Sequence, residues 1–543
     1  MNHLPMATRR EFLHFMGRSA AVVSSASALS TLTGCLTTPT SSKVNGPFSP
    51  ISPTDKDDLV LADGFTYNLL IEYGQKINTS GDAFGYDNDY LAFLPSASGN
   101  PNEGYLWSNH ESVDPMFVSG FVKGGPRTKQ QVEKEQQAVG GSIFRVWRKD
   151  SEHPWTVDDG DALNRRLSGQ TPIDIVSERI IGGSKTAIGT LANCAGGVTP
   201  WGTVLTCEEN YHDFYGEYTY DEKGNKTHNK DSRLGWSEFF DHSPEHYGWV
   251  VEFNPKTGKA KKLTSMGRYA HECATTQLAK DGRCVVYLAD DSMDQCLYKF
   301  ISEKPDNLEK GELFVANTDL GKWISLDYKK QSLLQEKFKD QTEVLVRCRE
   351  AAHLLGGTPL DRPEDVEIDP ISGHIFVAQT NNKSRSNYHG SILKIVESNN
   401  DPLSLTFKAE TFLAGGEKNG FSCPDNMAFD QKGNLWMTSD ISEKAMGKSP
   451  YAAFKNNGLF YIPMSGPHAG NVFQLASAPT DAELTGPTFS SDGETLFLSV
   501  QHPGKSSVSL EKLSSHWPHG KSSLPRPAVV TISGPAMKAL MTS

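Results

Sequence analysis

The chain has 543 residues, 37% of them hydrophobic and 22% charged, which is enough apolar material for a packed core and excludes global disorder. A net charge of −12 argues against nucleic-acid binding and suits a site that collects cations. Aromatic residues make up 10%, with 48 glycines and 30 prolines, a composition of short strands and many turns that points to an all-β class.

In chain order, Thr8-Arg9-Arg10-Glu11-Phe12-Leu13 and the apolar small-residue stretch from Ala20 to Leu32 resemble a twin-arginine export signal. That stretch is too short to span a bilayer. Leu32-Thr33-Gly34-Cys35 resembles a lipobox, in which Cys35 becomes a lipidated mature N-terminus. Residues 1–35 therefore read as the export signal. Residues 36–60, which hold a run rich in Ser, Thr and Pro, read as a flexible tether, and 61–543 as one folded domain. The expected location is the periplasm or cell envelope, reached through the twin-arginine export machinery. The membrane is touched only through the lipid, and a monomer is expected. Of the eight cysteines, seven remain after Cys35, an odd number that leaves at least one free thiol in an oxidising compartment.

A short apolar strand with a polar end recurs six times. The copies are Leu106–Glu111, Val204–Glu209, Val286–Asp291, Ile375–Asn381, Leu435–Asp440 and Leu496–His502. Four share a lead-in and a hairpin turn: His271-Glu272-Cys273, Arg362-Pro363-Glu364-Asp365, Cys423-Pro424-Asp425-Asn426 and Gly486-Pro487-Thr488-Phe489, leading to Asp281-Gly282, Gly373, Gly433 and Asp492-Gly493. A third strand follows each copy. The spacing predicts a six-bladed β-propeller with inserted loops, the largest between Tyr211 and Tyr247. Fourth strands are expected near Thr264–Met266 and Thr411–Ala414, and Phe65–Tyr73 is expected to close the ring against the last blade.

In such a ring the polar strand ends meet at one end of the central channel. They gather Glu111, Cys207, Glu208, Glu209, Glu272, Asp290, Asp291, Glu364, Asp365 and Asp425, with Arg362 the obvious cation among them. So many carboxylates in one channel raise one another's pKa, and bound metal ions remove the conflict. Carboxylates suit calcium, magnesium or manganese, whereas a thiolate prefers iron, zinc or copper, so Cys207 beside Glu208 and Glu209 points to two sorts of metal. Serine-elbow, P-loop, HExxH and dinucleotide motifs are missing from the sequence.

The twin-arginine start, Asn109-His110-Glu111, Thr206-Cys207-Glu208-Glu209, Ala270-His271-Glu272 and Arg362-Pro363-Glu364-Asp365 together resemble the PhoX family from about Phe65 to Ile532. The resemblance implies an exported alkaline phosphatase with an iron–calcium (Fe3+, Ca2+) cluster, acting on small phosphate monoesters. It implies iron ligation by Cys207 and Glu272, and a further cluster ligand in Glu364. Calcium or bridging positions fall to Glu208, Glu209 and the Asp290-Asp291 pair, and Arg362 holds the phosphate. Glu111, Asp291 and Asp425 rest more on the repeat. Two other readings compete. A calcium-dependent lactonase-type propeller would need no thiolate, and a non-catalytic partner-binding propeller would need no iron.

Overall fold

A computed structural model describes residues 46–542; the export signal and Cys35 lie outside the described residues. Six sheets of four to six strands follow one another along the chain. Their innermost strands are Asn88–Pro95, Asn193–Val198, His271–Leu278, Pro363–Ile368, Pro424–Phe429 and Glu483–Phe489. Each lies beside the next, and the sixth returns to the first, so the six strands wall a closed channel. This is the expected six-bladed propeller.

Sequence chemistry explains the blade. The first hairpin turns of blades three to six each use an aspartate whose Oδ1 accepts the backbone N–H two residues on: Asp281, Asp369, Asp430 and Asp492. The chain then reverses through a left-handed glycine, as at Gly282 (φ +87°) and Gly433 (φ +76°). Apolar residues of adjoining blades interdigitate. Leu205 and Val250 of blade two pack with Val286 and Leu288 of blade three, and Trp436 of blade five packs with Leu484 and Leu498 of blade six.

The ring closes as Phe65–Tyr73 suggested. Thr66–Glu72 is the outermost strand of blade six, pairing antiparallel with Ala528–Ser533. Thr411–Ala414 lies within the fourth strand of blade four, Phe407–Ala414. Thr264–Met266 is instead a 3-10 turn, and the fourth strand of blade two is the preceding Ala260–Leu263. Part of the stretch read as a tether is also structured. Phe48 is buried with its ring 5.3 Å from Phe65, and Val60–Leu61 pairs with Phe473–Ser477 as a fifth strand of blade five. An aromatic residue and an aliphatic pair give this segment apolar area to bury, which its Ser and Pro content hides.

The 211–247 insertion packs against the ring. Tyr211, Phe214, Tyr215, Trp236 and Tyr247 are buried with Tyr86, Val132 and Leu191. Helix Lys129–Ala138, started by a Thr128 capping box, lies beneath it and donates its own buried Val132. Three short helices, Ser332–Lys337, Gln341–Val346 and Cys348–Leu354, form a second insertion before blade four. The two insertions meet where Arg347 lies over the Tyr220 ring at 5.2 Å.

Candidate metal centre

Every innermost strand carries a β-bulge near the same end of the channel. Between Asn88 and Leu91 three steps face two on the neighbouring strand, and the same happens at Asn193/Gly196, His271/Ala274, Pro363/Val366, Pro424/Met427 and Thr485/Thr488. A bulge re-aims the residue inside it. The first bulged residues are Asp89, Cys194, Glu272, Glu364, Asp425 and Gly486. Five blades thus aim a metal-ligating type of side chain at the channel. In blade six there is no room, since a Cβ on Gly486 would lie 2.6 Å from Leu91 N and 2.7 Å from Asp89 O.

A left-handed residue precedes four of these strands: Asp87, Ala192, Arg362 and Cys423, with φ between 52° and 56°. Such backbone is costly for side chains other than glycine and persists where surrounding structure fixes it. The backbone O of each accepts an N–H from the end of the second strand, from Glu111, Glu209, Thr380 and Asp440 respectively; Ala270 O receives Asp291 N in the same way. Glu111, Glu209, Asp291 and Asp440 therefore occupy equivalent places and form a second set of acids around the first.

The sets converge. Ligand atoms of Asp89, Glu111 and Cys194, of Cys194, Glu209 and Glu272, and of Glu272, Glu364 and Asp425 lie within 4.8 Å of one another in each trio. Cys194 Sγ is 3.1 Å from Asp89 Oδ2 and 3.3 Å from Glu272 Oε1. Two carboxylates at 4.8 Å repel by about 3.5 kcal/mol at an effective dielectric near 20. Burial first, and then these neighbours, push the carboxyls of Asp89, Glu209, Glu272, Glu364 and Asp425 well above the usual range. The largest neighbouring contributions come from Glu111, Asp291, Glu364, Asp291 and Glu483 respectively. Desolvation, then Asp89 and Glu272, raise the Cys194 thiol. Oε1 of Glu209 and Oε2 of Glu272 are buried with no hydrogen-bond partner. Orphaned carboxylate oxygens among like charges fit a site for cations.

Arg362 lines this cluster. Its Nε donates to Asp291 Oδ1 at 2.8 Å, and its Nη2 to Asp291 Oδ2 at 2.7 Å and to Glu364 Oε1 at 2.8 Å. The Nη1 edge has no protein partner among the described residues, and the side chain stays 26% exposed. An open guanidinium edge beside cation ligands suits a tetrahedral oxyanion.

Glu111, Glu209, Glu272, Asp291, Glu364, Asp425 and Arg362 are thus brought together, and four other expected residues, Cys207, Glu208, Asp290 and Asp365, are not. Cys207 lies in the core between blades two and three, among Leu205, Val250 and Leu288. Glu208 is fully buried and satisfied by Thr190 Oγ1, Leu191 N, Gly248 N, Trp249 N and Lys262 Nζ, the last at 2.6 Å. Asp290 accepts the forked guanidinium of Arg349, with Nε at 2.8 Å. The reason is strand periodicity: consecutive side chains point to opposite faces, so Glu209 and Asp291 face the cluster while Glu208 and Asp290 turn away. Asp365, also in a bulge, accepts Val366 N and Met427 N and ties blade four to blade five. The thiol at the cluster is Cys194. It and Asp89 were missed, although Asp87-Asn88-Asp89-Tyr90 and Ala192-Asn193-Cys194-Ala195 stand where Arg362-Pro363-Glu364-Asp365 and Cys423-Pro424-Asp425-Asn426 do.

Comparison with known families matches residues 46–504 to alkaline phosphatase PhoX. The chain belongs to the PhoX family. It is a phosphomonoester hydrolase of that family. Among solved structures, Pseudomonas fluorescens PhoX in complex with vanadate, described as a transition state analogue, is similar with a TM-score of 0.79 at 28% identity. That likeness covers 90% of this chain and 98% of the Pseudomonas chain. A Dyadobacter fermentans protein of unknown function (TM-score 0.39, 10% identity, 87% and 100% covered) is far more distant. So is a Xanthomonas campestris gluconolactonase (TM-score 0.31, 12% identity, 83% and 97% covered). No curated protein matches the chain.

Proposed function

We propose that this PhoX-family chain is an exported phosphatase that frees phosphate from small organic phosphate monoesters at an iron–calcium centre in the propeller channel. The observation that carries the reading is the ring of bulges, which sets one thiol, Cys194, among the carboxylates of Asp89, Glu272, Glu364 and Asp425. A soft donor beside hard ones suits a mixed centre, with iron favoured near Cys194, Glu209 and Glu272 and calcium favoured by the all-oxygen group of Glu272, Glu364 and Asp425. Bound there, the metals would offset phosphoryl charge and supply an activated oxygen nucleophile at moderate pH.

The protein's own residues do the rest. Asp291 and Glu364 hold the Arg362 guanidinium in one plane, leaving Nη1 to donate to a phosphoryl oxygen. Asn210 Nδ2 donates to Glu209 and Gln501 Nε2 to Glu111, fixing which oxygens stay free. Export through the twin-arginine pathway and lipidation of Cys35, both read from the N-terminal sequence, and a monomeric state complete the reading.

Elemental analysis of natively exported protein, with assay of p-nitrophenyl phosphate, tests the centre. Iron and calcium should co-purify with activity, with a visible thiolate-to-iron band that vanishes in Cys194→Ala and persists in Cys207→Ala. Full activity without iron would falsify the mixed centre. Failure of Cys35→Ala to release the protein from the membrane fraction would remove the lipid anchor.

A further inference from the structure

The rim of the channel carries cations supplied by loops outside the blades. Arg233, in the 211–247 insertion, donates from Nε to Asp213 Oδ2 at 2.5 Å and from Nη2 to Ser112 Oγ at 2.7 Å. Ser112 directly follows Glu111, and half of the Arg233 side chain (50%) stays exposed. Lys505 lies on the loop that follows the second strand of blade six. That loop is pinned: Lys505 N donates to His502 O, Gly504 N to Thr480 O, and Ser506 N to Asp481 Oδ2. At its root Gln501 Nε2 holds Glu111 Oε2 at 2.7 Å, and His502 Nε2 lies 3.4 Å from Glu483 Oε2. Two cations on different loops therefore stand near Glu111, one through Ser112 and one on the loop rooted at Gln501.

They differ from the other arginines at this end of the ring. Arg362 holds Asp291 and Glu364, and Arg349 holds Asp290. Arg233 is only partly committed to Asp213, and the exposed Lys505 ammonium makes no hydrogen bond or ion pair among the described residues. Yet the carboxylates of Asp87, Glu443, Glu111 and Glu483 are its charged surroundings and raise its pKa. The family match ends at residue 504, so Lys505 lies just beyond it.

We propose that Arg233 and Lys505 form a subsite for an anionic group on the leaving-group side of the ester, a carboxylate or a second phosphate. The enzyme then favours phosphate esters of acidic alcohols over those of neutral ones. This rests on the phosphomonoesterase reading. A cation on a fixed loop that meets only the anionic group of the leaving alcohol selects such substrates through binding, because that contact is the same in ground and transition states.

Glycerol 3-phosphate and 3-phosphoglycerate make a matched pair, since both release a three-carbon alcohol and the second adds a carboxylate. With the metal-loaded full chain, Lys505→Ala should raise KM for 3-phosphoglycerate about five- to tenfold, about one charge-assisted contact, and leave KM for glycerol 3-phosphate within about twofold. kcat should stay constant for both. Lys505→Arg should keep the low KM, and Arg233→Ala should raise it about threefold. An unchanged KM ratio in Lys505→Ala, or an equal rise for both esters, overturns the subsite. Wild-type protein that turns over neither ester overturns the phosphomonoesterase reading with it, whereas turnover of glycerol 3-phosphate keeps the two failures distinct.

Discussion

Glu208 and Glu209 are neighbours in sequence, and both are buried, but they belong to different kinds of site. Glu208 takes hydrogen bonds from three backbone N–H groups, a threonine hydroxyl and the Lys262 ammonium. Glu209 has Asn210 on one oxygen, nothing on the other, and Asp291, Glu111 and Glu364 as its charged surroundings. A buried carboxylate satisfied by protein donors is part of the fold. One left unsatisfied among like charges stays ionised only with help from outside, and in this family's architecture that help is a metal ion.

The contrast can be broken by substitution. Glu272→Gln removes the carboxylate shared by two of the ligand trios and should cut p-nitrophenyl phosphate turnover more than about 100-fold with loss of bound metal. Retained metal and activity would place the centre elsewhere. Glu208→Gln strands the Lys262 charge in the interior and should cost about 3–5 kcal/mol of stability by denaturant titration, with activity per folded molecule intact. Metal loss in that variant would erase the distinction between the two glutamates. Arg362→Ala should lower kcat/KM about 100-fold while metal content holds.

A pH titration sharpens the same comparison. The cluster carboxyls have raised pKa values in the metal-free fold, so between the unfolded value, near about 4, and the raised one the folded state binds more protons than the unfolded state. Stability of chelated protein should therefore fall as pH rises through that window, and restored metal should abolish the fall. A flat thermal midpoint from pH 4 to 8 in chelated protein would show that the carboxylates are compensated by the protein itself. The smallest effect is expected for Cys207→Ala, about 1–2 kcal/mol of stability from a small core void, with turnover unchanged.

The repeat made much of this legible in advance. Strand ends at Glu111, Glu209 and Asp291, and lead-ins at Glu272, Glu364 and Asp425, all reach the cluster. The errors have one origin. Glu208 and Asp290 sit one residue before the right position, and a one-residue step on a strand reverses the side chain's face. Cys207 carries the residue type that the chemistry wants, but it points between blades. Cys194 is preceded by Ala192-Asn193 instead of the X-Pro that marks blades four and five, so its kinship to Glu364 and Asp425 was obscured.

From the sequence alone came the all-β class, the count of six units, the excess of acids and the family resemblance, because period, composition and motif order are properties of a line of residues. The tertiary structure decided which thiol joins the acids, which acids are neutralised by Lys262 or Arg349, and which loop cations reach the mouth. Those are matters of facing. Bulges and left-handed residues set them, and a bulge shows itself only when two strands are laid side by side.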